Sequence, residues 1–264
     1  MGKKVGIIGY GYVGKAMYEF FKDHYDTYIY DPYVENTHTK DQINECDLGV
    51  VCVPTPMSAN GSCDTSIVEE VVGWLETPLI ILKSTVPVGT TDALADEHSA
   101  RIVFSPEYCG ESTYWSPYGF HTEVKDTPFF TFGGCLDDCS EAIDYYLPIT
   151  GPMKTYHQTT AEVAEMAKYM ENCFYATKIA FCNEIYSICE NMGIDWNAAR
   201  EAWLLDPRIH PMHTAVFRDS RGFGGKCLPK DLNAMISFAK DYGVDPILLE
   251  SVWKSNSEVR KNDK

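Results

Sequence analysis

The stretch KKVGIIGYGYVGKAMYEFF, residues 3–21, constrains this chain more than any other. A short apolar run leads into glycines and then into a helical pattern, which predicts strand, turn and helix. Gly9, Gly11 and Gly14 fit GxGxxG, with Tyr10, Tyr12 and Val13 between them. The first two glycines let a backbone pass close to a pyrophosphate, and the third lets the helix pack on the strand. The helix start then offers unpaired N–H groups to phosphate. A second short strand, TYIYDPY, carries Asp31 roughly twenty residues further on, where a carboxylate accepts hydrogen bonds from an adenosine ribose. The alternative is a glycine-rich turn without a ligand. The pattern predicts binding of NAD. It disfavours NADP, because Asp31 would repel a 2′-phosphate and the following PYVEN supplies no arginine.

Further apolar runs follow in LGVVCVPTP, PLIILKSTVP, ARIVFSPEY and TPFFTFGG. Continuous apolar strands alternating with helical stretches predict a Rossmann-like α/β fold, a doubly wound parallel sheet buried on both faces. This first domain is expected over 1–155. A second domain, 156–264, is expected to hold a long connecting helix over about 159–192 and a small helical region. Thr159 with Glu162 reads as a capping box, and Gly193 as the helix stop. Val163, Met166, Met170, Phe174, Phe181, Ile185 and Ile188 recur at helical spacing along it. A helix of that length crosses between domains or forms an oligomer core.

The 264 residues carry a formal net charge of −16, which opposes general binding to nucleic acid. The ten cysteines show no CxxC pair and no zinc spacing with histidine, so no metal is expected, and CLDDC, from Cys135 to Cys139, reads as structural or incidental. The chain opens without a signal-peptide pattern and contains no apolar run able to span a membrane. A cytoplasmic protein with free thiols is expected.

Within the long helix, Lys168 and Asn172 lie four residues apart and share one face, where together they can donate to a developing oxyanion. A solvated helix face is the alternative. In GFGGKCLPKD, residues 222–231, Cys227 is either a nucleophile or one more buried thiol, and Asp231 lies one helical turn beyond it. Glu107 and Glu111 follow an apolar strand in SPEYCGES, and Thr85 follows another in KSTVP, at strand ends where such sheets carry their sites. Surface-loop acids and a turn threonine are the alternatives.

Taken in order, GYGYVG, VCVPTPMSANGSCDTS, KSTVPVGT, SPEYCGE, AEMAKYMENCFYATKIAFCNEI, DPRI and GFGGKCLPKD resemble the first two-thirds of the UDP-glucose/GDP-mannose dehydrogenases. The resemblance implies an NAD-dependent oxidation of a sugar-nucleotide C6 alcohol in two hydride transfers, through a thiohemiacetal and a thioester on cysteine, to a uronic acid. It implies Cys227 as nucleophile and Lys168 and Asn172 as the pair that steadies oxyanions and substrate. Asp231 matches a carboxylate holding lysine and water, and Thr85 a threonine contacting water and cofactor. Glu107 matches a glutamate linked to thioester hydrolysis, and Glu111 an acid near the nicotinamide. Gly224 matches the substrate-binding glycine loop, and Arg208 an arginine reaching the partner subunit's substrate. A homodimer through the long helix is expected.

The chain also departs from the family pattern. EYCGES stands where EFLREG is usual, Asn36 replaces a basic residue, and HPMHTAVFRDS matches poorly. The family's third domain is missing from these residues. UDP-glucose is the first expectation for the substrate. GDP-mannose or a UDP-N-acetylhexosamine is the runner-up, and a 3-hydroxyacid dehydrogenase or a non-catalytic relic is a more distant rival.

Overall fold

A computed structural model describes residues 2–109 and 123–261. The chain divides into two compact units, one of Met1–Pro56 and Asp64–Lys168, the other of Met57–Cys63 and Tyr169–Lys264.

In the first unit, seven strands form one sheet. They are β1 (Lys4–Ile8), β2 (Asp26–Tyr30), β3 (Leu48–Val51), β4 (Ile80–Leu82), β5 (Ile102–Phe104), β6 (Phe129–Gly133) and β7 (Thr155–Thr159). Their order is β2-β1-β3-β4-β5-β6-β7. Helices α1 (Tyr12–Phe21), α2 (Lys40–Asn44), α3 (Ser66–Trp74), α4 (Thr90–His98) and α5 (Leu136–Thr150) alternate with them. Side chains of successive strand residues point to opposite faces, and each face has its own core. Val5, Ile7 and Ile81 pack with Met17, Phe21 and Tyr146 on one side. Ile8, Ile80 and Leu82 pack with Ile43, Val68 and Leu94 on the other. This is the doubly wound arrangement that the apolar runs predict.

Two details differ from the expected sheet. The β5–β6 join is antiparallel, through Phe104 opposite Gly133, while β6 and β7 run parallel. Strand β7, TYHQT, carries no apolar run because it lies at the sheet edge with much of its length facing solvent.

Helix α6 (Ala161–Met192) begins in the first unit and continues into the second. The expected Thr159–Glu162 capping box is not the one formed, because Thr159 is still in β7, paired with Gly133. The hydroxyl of the next residue, Thr160, accepts the N–H of Val163 at 3.4 Å. One turn on, the buried Glu165 carboxylate accepts from the N–H of Gly89 at 2.6 Å and from the N–H and hydroxyl of Thr91 at 2.9 and 2.6 Å. It thereby satisfies the start of α4, where negative charge is favoured. Gly193 ends α6 as expected, with φ +70° and the N–H of Ile194 donating to the Cys189 carbonyl at 2.9 Å.

In the second unit, α7 (Trp196–Trp203), α8 (Leu228–Asp241) and α9 (Ile247–Lys261) accompany α6. The inner face of α6 uses small residues: Cys173, Ala176 and Ala180 pack with Phe223, Leu232, Ile236 and Val252. Met170, Phe174, Phe181, Ile188 and Met192 of the same helix are exposed. The segment Met57–Cys63, closed by an antiparallel bridge between its ends, belongs to this unit. Its Gly61 lies against Asn233 of α8, and the Cys63 thiol lies beside the Tyr169 hydroxyl. Among the described residues, no helix is long and apolar enough to cross a membrane.

Candidate active site

The glycine loop between β1 and α1 is shaped by close approaches. Gly9 has φ +88°, and a Cβ there would lie 2.8 Å from the Cys52 carbonyl oxygen; a Cβ on Gly14 would lie 1.9 Å from the carbonyl oxygen of Gly9. Only glycine satisfies both positions. A Cβ on Gly11 would meet nothing within 4 Å, so the middle glycine borders open space. Gly11 is the N-cap of α1 and no side chain caps the helix. The cap residue itself therefore offers the first turn no side-chain acceptor, and no acidic residue stands in that turn. Asp31, just past the end of β2, accepts the N–H of Tyr10 at 2.7 Å through one oxygen and that of Tyr33 at 2.9 Å through the other. Asn36 has φ +61°, a left-handed position that asparagine tolerates better than long side chains. The open space at Gly11, the uncapped helix and the carboxylate at the tip of β2 fit a dinucleotide. Pyrophosphate would lie at the helix start and a ribose at Asp31.

Thr85 lies three residues beyond β4, and its carbonyl accepts the Thr55 hydroxyl at 2.8 Å. Glu107 is not a surface acid. Its side chain is 6% exposed and lies 3.3 Å from the ammonium of Lys83, itself 1% exposed. Its other oxygen accepts the N–H groups of Tyr108 and Cys109 at 2.8 and 3.0 Å. Burial opposes the charge, but Lys83 and these two N–H groups hold the Glu107 carboxyl below its ordinary pKa. Lys168 is buried too, with its ammonium 4.7 Å from the centre of the Tyr108 ring. A solvated helix face is thus excluded for Lys168. Glu111 lies outside the described residues.

In the second unit the structure brings Asn172 and Asp231 together. The Asn172 amide donates to one Asp231 oxygen at 2.5 Å, and the Lys230 ammonium lies 2.5 Å from the other. Asp231 occupies the first turn of α8, and Cys227 is the N-cap of the same helix, with the Asp231 N–H donating to the Cys227 carbonyl at 2.9 Å. Cys227 is exposed, whereas Cys173, Cys182 and Cys189 of α6 are buried. All ten cysteines are unbridged. A thiol at a helix N-terminus sits where negative charge is favoured. Tyr169 is buried beside Asp231 and Cys63; burial first, then these neighbours, hold its hydroxyl in the neutral form.

The loop before Cys227 is pinned by two buried asparagines. Asn183 accepts the N–H of Gly222 at 3.0 Å. Asn256 accepts the N–H of Phe223 at 2.7 Å and donates to its carbonyl at 3.0 Å. A Cβ on Gly222 would lie 2.4 Å from the Asn256 oxygen, and one on Gly224 would lie 2.9 Å from the Arg260 guanidinium. Sequence reading misses Asn183, Asn256 and Lys83, because each sits in or beside a helix or strand pattern whose burial no local signal reveals. Arg208 is fully at the surface, paired with Asp206 at 2.6 Å, and is not brought to Cys227 within the unit by any recorded contact. Among the described residues, no cluster of three or more His, Cys, Asp or Glu is arranged to hold a metal.

Two family models match this chain. One is the NAD binding domain of the UDP-glucose/GDP-mannose dehydrogenase family, over residues 29–118. The other is the central domain of the same family, over residues 162–258. The UDP-glucose 6-dehydrogenase TuaD of Bacillus subtilis is 32% identical over 232 residues, covering 83% of this chain and 48% of the relative. A GDP-mannose 6-dehydrogenase of Azotobacter vinelandii is 28% identical, over 85% of this chain and 54% of its own. The chain spans about half the length of the curated relatives it matches. A UDP-glucose dehydrogenase structure from Pyrobaculum islandicum superposes with a TM-score of 0.83 at 23% identity, covering 98% of this chain and 68% of that one. A 3-hydroxyisobutyrate dehydrogenase of Mycobacterium tuberculosis superposes with a TM-score of 0.68 at 16% identity, over 98% and 94% of the two chains, and shares the fold alone.

Proposed function

Because this chain belongs to the UDP-glucose/GDP-mannose dehydrogenase family, with NAD as the cofactor of its first unit, we propose that it oxidises the C6 alcohol of a sugar nucleotide to a carboxylate. UDP-glucose is the proposed substrate. The observation that carries this reading is the exposed Cys227 at the N-cap of α8, one turn from an Asp231 that holds the Asn172 amide. A 3-hydroxyacid dehydrogenase has no use for that thiol, and a binding relic has no use for either group.

Gly9, Gly11, Gly14 and Asp31 would hold NAD, which when bound accepts hydride from carbon. The protein's part is to manage protons and oxyanions. A base takes the proton of the C6 hydroxyl as hydride leaves C6, giving the aldehyde. The Cys227 thiolate adds to that aldehyde, and the resulting oxyanion is met by the Lys168 ammonium and the Asn172 amide. Loss of a second hydride from this thiohemiacetal leaves a thioester. Water attacks its carbonyl as a base takes one of its protons, the C–S bond breaks and the thiolate departs, and the resulting acid loses the second proton to solvent, leaving the uronate. Asp231 keeps the Asn172 amide in one orientation throughout.

We also propose that two copies pair through the exposed stripe of α6. Met170, Phe174, Phe181, Ile188 and Met192 are spaced 4, 7, 7 and 4 residues apart, which keeps them on one face. Arg208, at the surface of this copy, would then serve its partner. The proposed setting is the cytoplasm.

The reading is tested by supplying sugar nucleotides with NAD⁺ and counting NADH per sugar consumed. Two NADH per sugar, reduced to no free uronate in Cys227→Ser with NAD⁺ binding retained, is the expected result. One NADH per sugar, or uronate formation at wild-type rate by the serine variant, would overturn the thioester route.

A further inference from the structure

Two residues one turn apart on α9 are turned onto the glycine loop that precedes Cys227. Asn256, 3% exposed, holds the Phe223 backbone through its amide oxygen and its amide nitrogen. Arg260 stands four residues on, on the same face of the helix. Its stem passes Gly222, where an added Cβ would lie 3.2 Å from Arg260 Cγ. Its guanidinium reaches Gly224, where an added Cβ would lie 2.9 Å from Nη1, 3.0 Å from Cζ and 3.1 Å from Nη2. The central carbon is as near as the two nitrogens, so the face of the group covers the glycine and its N–H edge points elsewhere.

That edge has little to hold. Among the described residues, Arg260 donates one long hydrogen bond, from Nη1 to the Arg221 carbonyl at 3.5 Å, and pairs with no carboxylate. Arg101 and Arg208, by contrast, each hold a carboxylate at 2.6 Å. Arg221 donates to the Asn183 carbonyl and the Ser187 hydroxyl, both at 2.7 Å, and Lys230 faces Asp231. Arg260 is exposed, as are Gly224, Gly225, Lys226 and Cys227. In a chain of net charge −16, an anionic ligand needs a local cation to approach. A guanidinium meets that need with two parallel N–H groups that match a phosphate.

We propose that Arg260 is a substrate-binding residue that takes the diphosphate of the sugar nucleotide beside Gly224. The proposal rests on the reading of Cys227 as the group that meets C6. Gly224 and Cys227 are three residues apart, a span of at most about 11 Å of chain. A hexose ring with its first phosphate fits that span, with C6 toward the thiol and the phosphate toward the guanidinium. Arg260 then anchors the end of the substrate that does not react. It contributes equally to the ground state and the transition state, and so to binding more than to turnover.

Calorimetry with UDP and with GDP tests this without turnover. Arg260→Gln should weaken the diphosphate that binds by about ten- to a hundredfold, the size of lost hydrogen bonds to a charged group. Arg260→Lys, which keeps the charge but not the fork, should fall between. NAD⁺ affinity should be unchanged in both. With sugar nucleotide and NAD⁺, Arg260→Gln should raise KM by the same factor and leave kcat within about threefold of wild type. A residue that merely braced the loop would act on kcat, because Cys227 rides on that loop. Binding of neither diphosphate by the wild type, an unchanged affinity in Arg260→Gln, or a loss carried by kcat rather than KM overturns the proposal. If diphosphate binding depends on Arg260 but no sugar nucleotide is oxidised, the anion site stands and the functional reading falls.

Discussion

Asn172 and Asp231, 59 residues apart in sequence, meet through a 2.5 Å hydrogen bond between two nearly inaccessible side chains. The bond joins the middle of α6 to the first turn of α8, the helix that Cys227 caps. Replacing Asp231 by Ala leaves the Asn172 amide without that acceptor and removes the carboxylate that the Lys230 ammonium faces. An orphaned buried donor costs about 1–3 kcal/mol. Asp231→Ala should therefore lower the denaturant midpoint as well as the turnover, whereas Asp231→Asn should recover part of the stability and little of the turnover. Equal recovery of both would make the carboxylate's charge irrelevant.

The Lys83–Glu107 pair has a defined pH signature. The folded pKa of Glu107 is lowered, so its contribution to stability is present above the ordinary carboxyl value of 4.5 and is lost as pH falls through the folded value. For Lys83, burial works against the ammonium, but Tyr146 and Glu107 hold its pKa above the ordinary 10.5; its contribution is present below that value and is lost as pH rises through the folded one. Between those limits the pair is fully charged. Against a Lys83→Met/Glu107→Gln double variant, wild-type stability should hold a constant offset from about pH 5 to 10, and that offset should shift in the destabilising direction in more acidic solution. Parallel curves down to pH 2 would contradict this. Lys83→Met alone should cost about 3–5 kcal/mol, since it strands a buried carboxylate.

The glycines of the Cys227 loop should not be equally sensitive. Gly225 has φ +76° and open space where a Cβ would stand. Gly225→Ala should cost only the left-handed backbone penalty, about 1–2 kcal/mol. Gly222→Ala meets the same penalty and also displaces the Asn256 amide from Phe223. It should cost about 1–3 kcal/mol more, as two buried hydrogen bonds are disturbed. Chemical denaturation of the two variants decides the order.

Charge placed on the exposed stripe of α6 tests the homodimer. Phe174→Glu with Phe181→Glu removes two large apolar groups that are each more than half exposed. The double variant should run as a monomer in light scattering at concentrations where the wild type is dimeric. It should remain folded, because neither ring belongs to the unit's core.

Much of the first unit is legible from sequence because its signals are local. GxGxxG followed by an amphipathic run can form little else, and Asp31 stands at the distance that the strand and helix lengths dictate. The β5–β6 reversal and the edge strand β7 have no such signal, since pairing direction is decided by distant partners. In the candidate site, Lys168, Asn172, Cys227 and Asp231 can be picked out by spacing and residue type. Lys83 and Asn256 cannot. IILKST and KSNSEV read as a strand end and a polar helix, and only tertiary packing turns these two residues inward. Glu107 is visible in sequence as an acid after a strand, but not as one enclosed with a lysine.

The segment Met57–Cys63 has a consequence for anyone who wishes to take this protein apart. Its neighbours in sequence belong to the sheet, but its neighbours in space, Asn233 and Tyr169, belong to the helices. A cut before Tyr169 would therefore not yield two self-sufficient pieces. The amino-terminal fragment would display a seven-residue flap stripped of the surface it rests on, and the carboxy-terminal fragment would have a bare patch on α8 where that flap belonged. Recombinant halves should be poorly behaved alone and should regain solubility when mixed, because each carries a part that the other lacks.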